Sequence, residues 1–111
     1  MGYYDPDLYS QPEAFGLELV GSIDLDNESY QFNILAVLHE PPTDKFYIIQ
    51  DSGCSCPSPF ENHTGREALG EPLTAHETVK RVLDAVAEAS EYRYSYGPDD
   101  PSDLIAAILR R

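Results

Sequence analysis

Two stretches of alternating residues constrain this chain more than anything else in it. Leu17, Leu19, Ile23 and Leu25 alternate with Glu18, Ser22 and Asp24, and Tyr30, Phe32, Ile34, Ala36 and Leu38 form a second run. A period of two sends successive side chains to opposite faces, which is the pattern of a strand and not of a helix. Gly21 interrupts the first run and is expected to mark a bulge. In the second run the alternate positions pass from Gln31 and Asn33 to Leu35 and Val37, so its second half should be covered on both sides. That is expected of the central strand of three. A third, shorter strand is read over 45–50 (KFYIIQ). The connections Asp26-Asn27-Glu28-Ser29 and Pro41-Pro42-Thr43-Asp44 are short, which favours antiparallel neighbours, so residues 16–50 are predicted to form a meander. Residues 1–15 mix Tyr, Asp and Pro without a period and read as an irregular arm pinned to the core by Tyr3, Tyr4 or Tyr9.

After residue 73 the period changes. Thr74-Ala75-His76-Glu77 carries the residues of a capping box, in which the Thr hydroxyl accepts from the third helical amide and the Glu reaches back. Val79, Val82, Leu83, Val86 and Ala89 follow at helical spacing and predict a helix over 75–90 with its apolar stripe on the sheet. Residues 91–96 (EYRYSY) suit either a continuation of that helix or a short Tyr-rich fourth strand. Gly97-Pro98 breaks both. Asp100 as N-cap and Pro101 at the first helical position then open a short C-terminal helix. Leu104, Ile105, Ile108 and Leu109 form its apolar face, with Arg110 and Arg111 at its negative end. The fold class is α+β: a three-stranded antiparallel meander, four-stranded should 91–96 pair, with two C-terminal helices packed on one face. Phe32 and Val82 are assigned to the core, so Asp at either is expected to unfold the chain.

The 111 residues suit one domain, 1–111, divided into the arm (1–15), the meander (16–50), a loop (51–73) and a helical part (74–111). No run of about 18 apolar residues exists, which excludes a helical membrane span. The opening MGYYDPDLY has neither the basic start nor the apolar run of a secretory signal, so a reducing cytoplasm is expected, where two cysteines need not pair. Net charge is −13, and residues 1–44 carry nine carboxylates and no Lys or Arg. Such a field repels phosphate and anionic lipid, so direct binding to nucleic acid or membrane is disfavoured, and a basic protein surface is attracted.

Residues 51–73 (DSGCSCPSPFENHTGREALGEPL) fit neither period and hold both cysteines. Cys54 and Cys56 with His63 and His76 offer two thiolates and two imidazoles, a donor set suited to tetrahedral zinc, with Asp51 or Glu61 able to replace a histidine. The spacing lacks the paired C-x2-C framework of most zinc sites, and no other cofactor is expected. A Cys54–Cys56 bridge would close a three-residue ring whose side chains point apart in an extended segment. Asp51, Cys54 and His63 contain the residue types of a nucleophilic triad without the spacing of any known elbow, so no catalytic residue is assigned. The remaining reading is structural: an Asx-type turn at Asp51-Ser52-Gly53 ends the third strand, Gly53 takes positive φ, and Phe60 anchors the loop in the core.

The string Asp51-Ser52-Gly53-Cys54-Ser55-Cys56-Pro57-Ser58-Pro59-Phe60-Glu61 resembles the hallmark of a family of small uncharacterised actinobacteriophage proteins. Tyr3-Tyr4-Asp5-Pro6, Phe15-Gly16-Leu17-Glu18-Leu19-Val20-Gly21 and Tyr30-Gln31-Phe32 are similar to it as well. Two Lys against five Arg fits a GC-rich genome. The resemblance implies a protein acting in the cytoplasm of an infected bacterium and carries no activity, ligand or catalytic residue with it. Small phage accessory proteins commonly bind a host or phage protein, so a non-enzymatic binding module is expected. Tyr3, Tyr4, Asp51, Cys54, Cys56 and Phe60 are its candidate contacts. The alternatives are a metal- or thiol-dependent protein centred on Cys54, Cys56 and His63, and a DNA mimic. The mimic would line up Asp5, Asp7, Glu13, Glu18, Asp24, Asp26 and Glu28, with Glu18 and Asp24 on one strand face. A virion component, or a homodimer through an exposed edge strand, is also compatible with the chain.

Overall fold

The computed structural model describes residues 7–25, 31–54, 60, 63–91 and 99–111, the side chains of Gln31 and Cys54 excepted. Three strands, β1 (Glu18–Asp24), β2 (Gln31–Glu40) and β3 (Lys45–Cys54), form an antiparallel sheet in the order β1-β2-β3. The central strand is buried on both faces: Leu35, Ala36, Val37 and Leu38 are each 2% exposed or less. One cover would leave half of these side chains in water, so the sheet has two.

Helices α1 (Ala75–Glu91) and α2 (Ser102–Leu109) form the first cover. Leu35 and Val37 of β2, Ile23 of β1 and Phe46 of β3 pack there against Leu73, Val82, Leu104 and Ile108. The capping box is in place: Glu77 N–H donates to Thr74 Oγ1 at 3.1 Å, and Thr74 N–H donates to Glu77 Oε1 at 2.9 Å. The buried stripe of α1 runs through Thr78 and Val82, with Val79, Val86 and Ala89 half-buried beside them. Leu83 is 47% exposed and leaves the predicted stripe, because it lies past the edge of the arc that Val79, Val82 and Val86 define. Thr78 takes a core place by donating its hydroxyl to Thr74 O at 2.7 Å. In α2 the helix opens one residue later than expected, with Pro101 at the N-cap and Ser102 as its first residue, and Asp100 Oδ1, just before the cap, accepts the Ser102 N–H and hydroxyl at 2.9 and 2.7 Å. Leu109 is 57% exposed, so the apolar face of α2 is Leu104, Ile105 and Ile108.

The second cover is built from segments without periodicity. Leu8 and Leu17 pack with Phe60 against Ala36 and Leu38 of β2 and Tyr47 and Ile49 of β3. Asp7 holds the arm in a turn by accepting the N–H groups of Tyr9 and Ser10, and a 3-10 turn follows over Pro12–Phe15. Gly16 leaves that turn at φ +78°, a conformation that costs other residues a steric penalty. Arg66 then ties the layer together, donating to Phe15 O at 2.6 Å and to Glu40 Oε2 at 2.9 Å. Of the tyrosines proposed to pin the arm, Tyr9 does so by stacking on Phe60, while Tyr3 and Tyr4 lie outside the described residues.

A bulge allows β1 to serve both covers. Leu19 pairs with Leu38 and Gly21 with Val37, so Val20 is the extra residue, where Gly21 was expected to mark an irregularity. Leu17, before the bulge, enters the arm-side core; Ile23 and Leu25, after it, enter the helix-side core. The alternation that placed all of them on one face is therefore corrected. Two other boundaries differ. The third strand continues through Gly53 to Cys54, because Phe32 and Gln31 of β2 offer it partners, and Gly53 does not take positive φ. Helix α1 includes Glu91, and residues 92–96 of the alternative fourth strand lie outside the described residues.

Val82 is fully buried, whereas Phe32 is half-buried, opposite Gly53 near the end of the sheet, and was wrongly assigned to the core. Val82→Asp is expected to abolish cooperative thermal unfolding, since an unpaired core carboxylate costs more than about 4 kcal/mol, much of a small domain's stability. Phe32→Asp should cost about 1 kcal/mol and keep a cooperative transition. A second prediction follows from the cap. The hydrogen bonds from the Thr74 N–H and then its side chain hold Glu77 below the ordinary 4.5. A depressed carboxylate contributes stability above its unfolded pKa and loses it as pH falls through its folded one. Urea titrations across pH 7 to 3 should therefore show a shallower acid loss for Glu77→Gln than for wild type.

Candidate functional site

Near the end of β3 the sheet meets the cysteine loop, and Asp51 governs the junction. Ile34 of β2 and Ile49 of β3 belong to the arm-side core, and Asp51, paired with Ile34, extends that face to the rim of the sheet. One carboxylate oxygen of Asp51 accepts the N–H of Phe60 at 2.8 Å, and the other lies 3.1 Å from the N–H of Ser52. The nearer bond holds Phe60 at φ +65°, a left-handed conformation unusual for a bulky residue and costing about 1–3 kcal/mol. Complete burial of the ring offsets that strain. Phe60 stacks on Tyr9 at 4.8 Å and meets the edge of His63 at 5.1 Å. The His63 N–H donates to Phe60 O, and the Leu8 N–H donates to His63 O, so loop and arm are hydrogen-bonded to one another. Asp51 and Phe60, proposed as contacts, are thus brought together as an anchor.

The proposed zinc ligands are placed as follows. Cys54 is the last residue of β3, Cys56 lies outside the described residues, His63 is half-buried against Phe60, and His76 is exposed on the first turn of α1. Among the described residues no group of three or more His, Cys, Asp or Glu side chains is arranged to hold a metal ion. Nδ1 of His63 is buried without a hydrogen-bond partner among them.

The acidic line expected of a DNA mimic is not formed by the residues described. The bulge puts Glu18 on the helix face, opposite His39, and Asp24 on the arm face, opposite Ile34. Asp7 is spent on the turn it caps, and Arg111 pairs with Glu18. Asp5, Asp26 and Glu28 lie outside the described residues.

Sequence reasoning singled out no role for His39, a mostly buried residue at the far end of β2. Its Nε2 lies 2.8 Å from Asp44 Oδ1 and therefore carries the proton, since a carboxylate only accepts. Its Nδ1 has no hydrogen-bond partner among the described residues and lies 3.7 Å from Glu18 Oε1, and its ring leans on Phe46. The bond fixes the β2–β3 turn, where Asp44 sits at φ +58°. A signal existed in the sequence: His39 takes a position that alternation assigns to the same face as Leu35 and Val37.

The outer edges of the sheet are the other feature. Antiparallel pairing leaves every second residue of an edge strand with its N–H and C=O pointing away from the sheet. On β3, Leu73 closes one such position by exchanging both backbone hydrogen bonds with Phe46 at 2.8 Å. On β1, Asp99 closes another: its carboxylate accepts the Asp24 N–H and its N–H donates to Asp24 O, each at 2.8 Å. Next along β1 the outward position is Ser22. There a groove of about 410 Å³ runs between the strand and α2, floored by Val20, Gly21 and Leu104 and rimmed by Asp99, Asp100 and Asp103. Hydrogen bonds from the Ser102 hydroxyl and then its N–H hold Asp100 below the ordinary carboxylate value.

The profile of one protein family, described as Domain of unknown function (DUF7574), matches residues 6–107. No curated protein and no solved structure matches the chain.

The Asp51–Phe60 anchor yields a graded expectation in chemical denaturation. Phe60→Ala should cost about 3–5 kcal/mol, and Asp51→Ala about 1–3 kcal/mol, by leaving a buried N–H unpaired. Asp51→Asn, which keeps an acceptor oxygen, should recover most of the second loss.

Proposed function

The chain belongs to the DUF7574 family, and we propose that it is a non-enzymatic binding module acting on a host or phage protein in the cytoplasm of an infected bacterium. The observation that carries this reading is the state of the sheet edges. Natural proteins blunt or cover long edges because unpaired backbone recruits other strands. Here the described closures, Leu73 at Phe46 on β3 and Asp99 at Asp24 on β1, act at single positions, and the edge of β1 next to Asp24 opens on a groove. Charge gives the partner its sign. Of the bases in the described residues, Arg66, Lys80, Arg81 and Arg111 each face a carboxylate of the chain itself, and the chain as a whole carries a net charge of −13. A basic protein surface is favoured over nucleic acid or anionic lipid. No helix among the described residues is long and apolar enough to cross a membrane.

The test is a pull-down from host-cell lysate with the purified chain at low and high salt, beside sedimentation of the chain alone. A discrete protein partner retained at low salt and shed as salt rises is expected, because screening shortens the reach of exposed charges. Absence of any partner, or a partner indifferent to salt, would overturn the reading.

A further inference from the structure

We infer that the outer edge of β1 at Ser22 is a strand-addition site for an extended basic segment of a partner protein, seated in the groove between β1 and α2. This rests on the binding-module reading and specifies its surface. Backbone comes first. The Leu25 N–H donates to Asn33 O, so Leu25 faces β2 while Asp24 faces outward to Asp99. Alternation then turns Ile23 to β2 and the N–H and C=O of Ser22 to the groove. Among the described residues no backbone group from outside the β1–β2 pair bonds to Ser22. Its hydroxyl, 3.1 Å from the Tyr9 hydroxyl, is engaged on the arm face.

Shape and charge select the occupant. Gly21 keeps the floor low: a Cβ there would come within 3.0 Å of Leu104 Cδ1. A strand laid beside Ser22 sends alternate side chains toward α2, where they cross Leu104 and Ala107 before reaching Asp100 and Asp103. Lys and Arg suit that path, since their stems cover apolar surface while their heads meet carboxylates. Main-chain bonds at Ser22 supply attachment, and the acidic rim supplies the preference for a basic sequence. Addition stops at Asp24, because Asp99 already occupies the next outward position.

The experiment uses the full chain and a fluorescein-labelled decapeptide of alternating Lys and Val. Its companions are an alternating Glu and Val decapeptide and a Lys-Val decapeptide N-methylated at every second residue, on either phase. Fluorescence anisotropy should show binding of the parent peptide, none of the acidic one, and at least about tenfold weaker binding of the N-methylated forms. Ser22→Pro removes the outward N–H without touching the β1–β2 ladder, and Asp103→Lys reverses one rim charge; each should weaken binding about tenfold or more. Equal binding of parent and N-methylated peptides would mean charge attraction without strand pairing and would overturn the inference. So would failure of wild type to bind the parent peptide. Should Ser22→Pro not fold, the N-methylated peptides decide the question on wild type. A salt-sensitive lysate partner kept by a folded Ser22→Pro would sink this inference alone, whereas no lysate partner on wild type would sink the binding-module reading beneath it.

Discussion

Everything else in this structure follows from a central strand buried on both sides. Leu35 and Val37 point one way, Ala36 and Leu38 the other, and none is more than 2% exposed. A three-stranded sheet has two faces to cover and a short chain with which to do it. The helical part covers one. The other falls to the arm and the cysteine loop, whose described residues form nothing longer than the 3-10 turns Pro12–Phe15 and Arg66–Ala68 outside the sheet. They rely on single large residues, Leu8 and Phe60, held by backbone and carboxylate hydrogen bonds instead of by periodicity. The bulge at Val20 is the corresponding adjustment in β1, since a strand of constant parity would commit its apolar residues to one layer.

Much of this was legible because the signals are local. Alternation marked β1 and β2, the Leu35–Val37 pair identified the central strand, and Thr74 with Glu77 placed the start of α1 correctly. What escaped depends on partners distant in the chain. Ser52 and Gly53 have poor strand propensity and read as a turn, yet they pair because β2 extends to Gln31 and Phe32 and presents open backbone to them. The change of face in β1 could be suspected from Gly21, but its effect needs the register against Leu38 and Val37. Leu83 and Leu109 fit helical stripes and are exposed, because an arc of apolar residues does not state how wide its contact is.

The candidate site divides along the same line. Phe60 as a core anchor could be foreseen from one large aromatic in a loop of small residues. Asp51, read as a turn former or a ligand, spends its carboxylate on the strained amide that lets Phe60 turn inward. The groove beside Ser22 could not be foreseen. It is assembled from a bulged strand and from a helix about 80 residues later in the chain, and neither segment carries a motif. The acids expected to form one line are divided by the bulge, which puts Glu18 and Asp24 on opposite faces of the sheet.

The closure of β1 by Asp99 spans 75 residues of sequence. During synthesis the meander can form as soon as β3 has emerged, since its pairings are local and its turns short. The outward position at Asp24 must then wait until residue 99 has left the ribosome. Over that interval the nascent chain presents a longer free edge than the finished protein does, together with sheet faces not yet covered by α1 and α2. Slow translation between residues 54 and 99 therefore lengthens the time over which this larger surface is exposed to other chains.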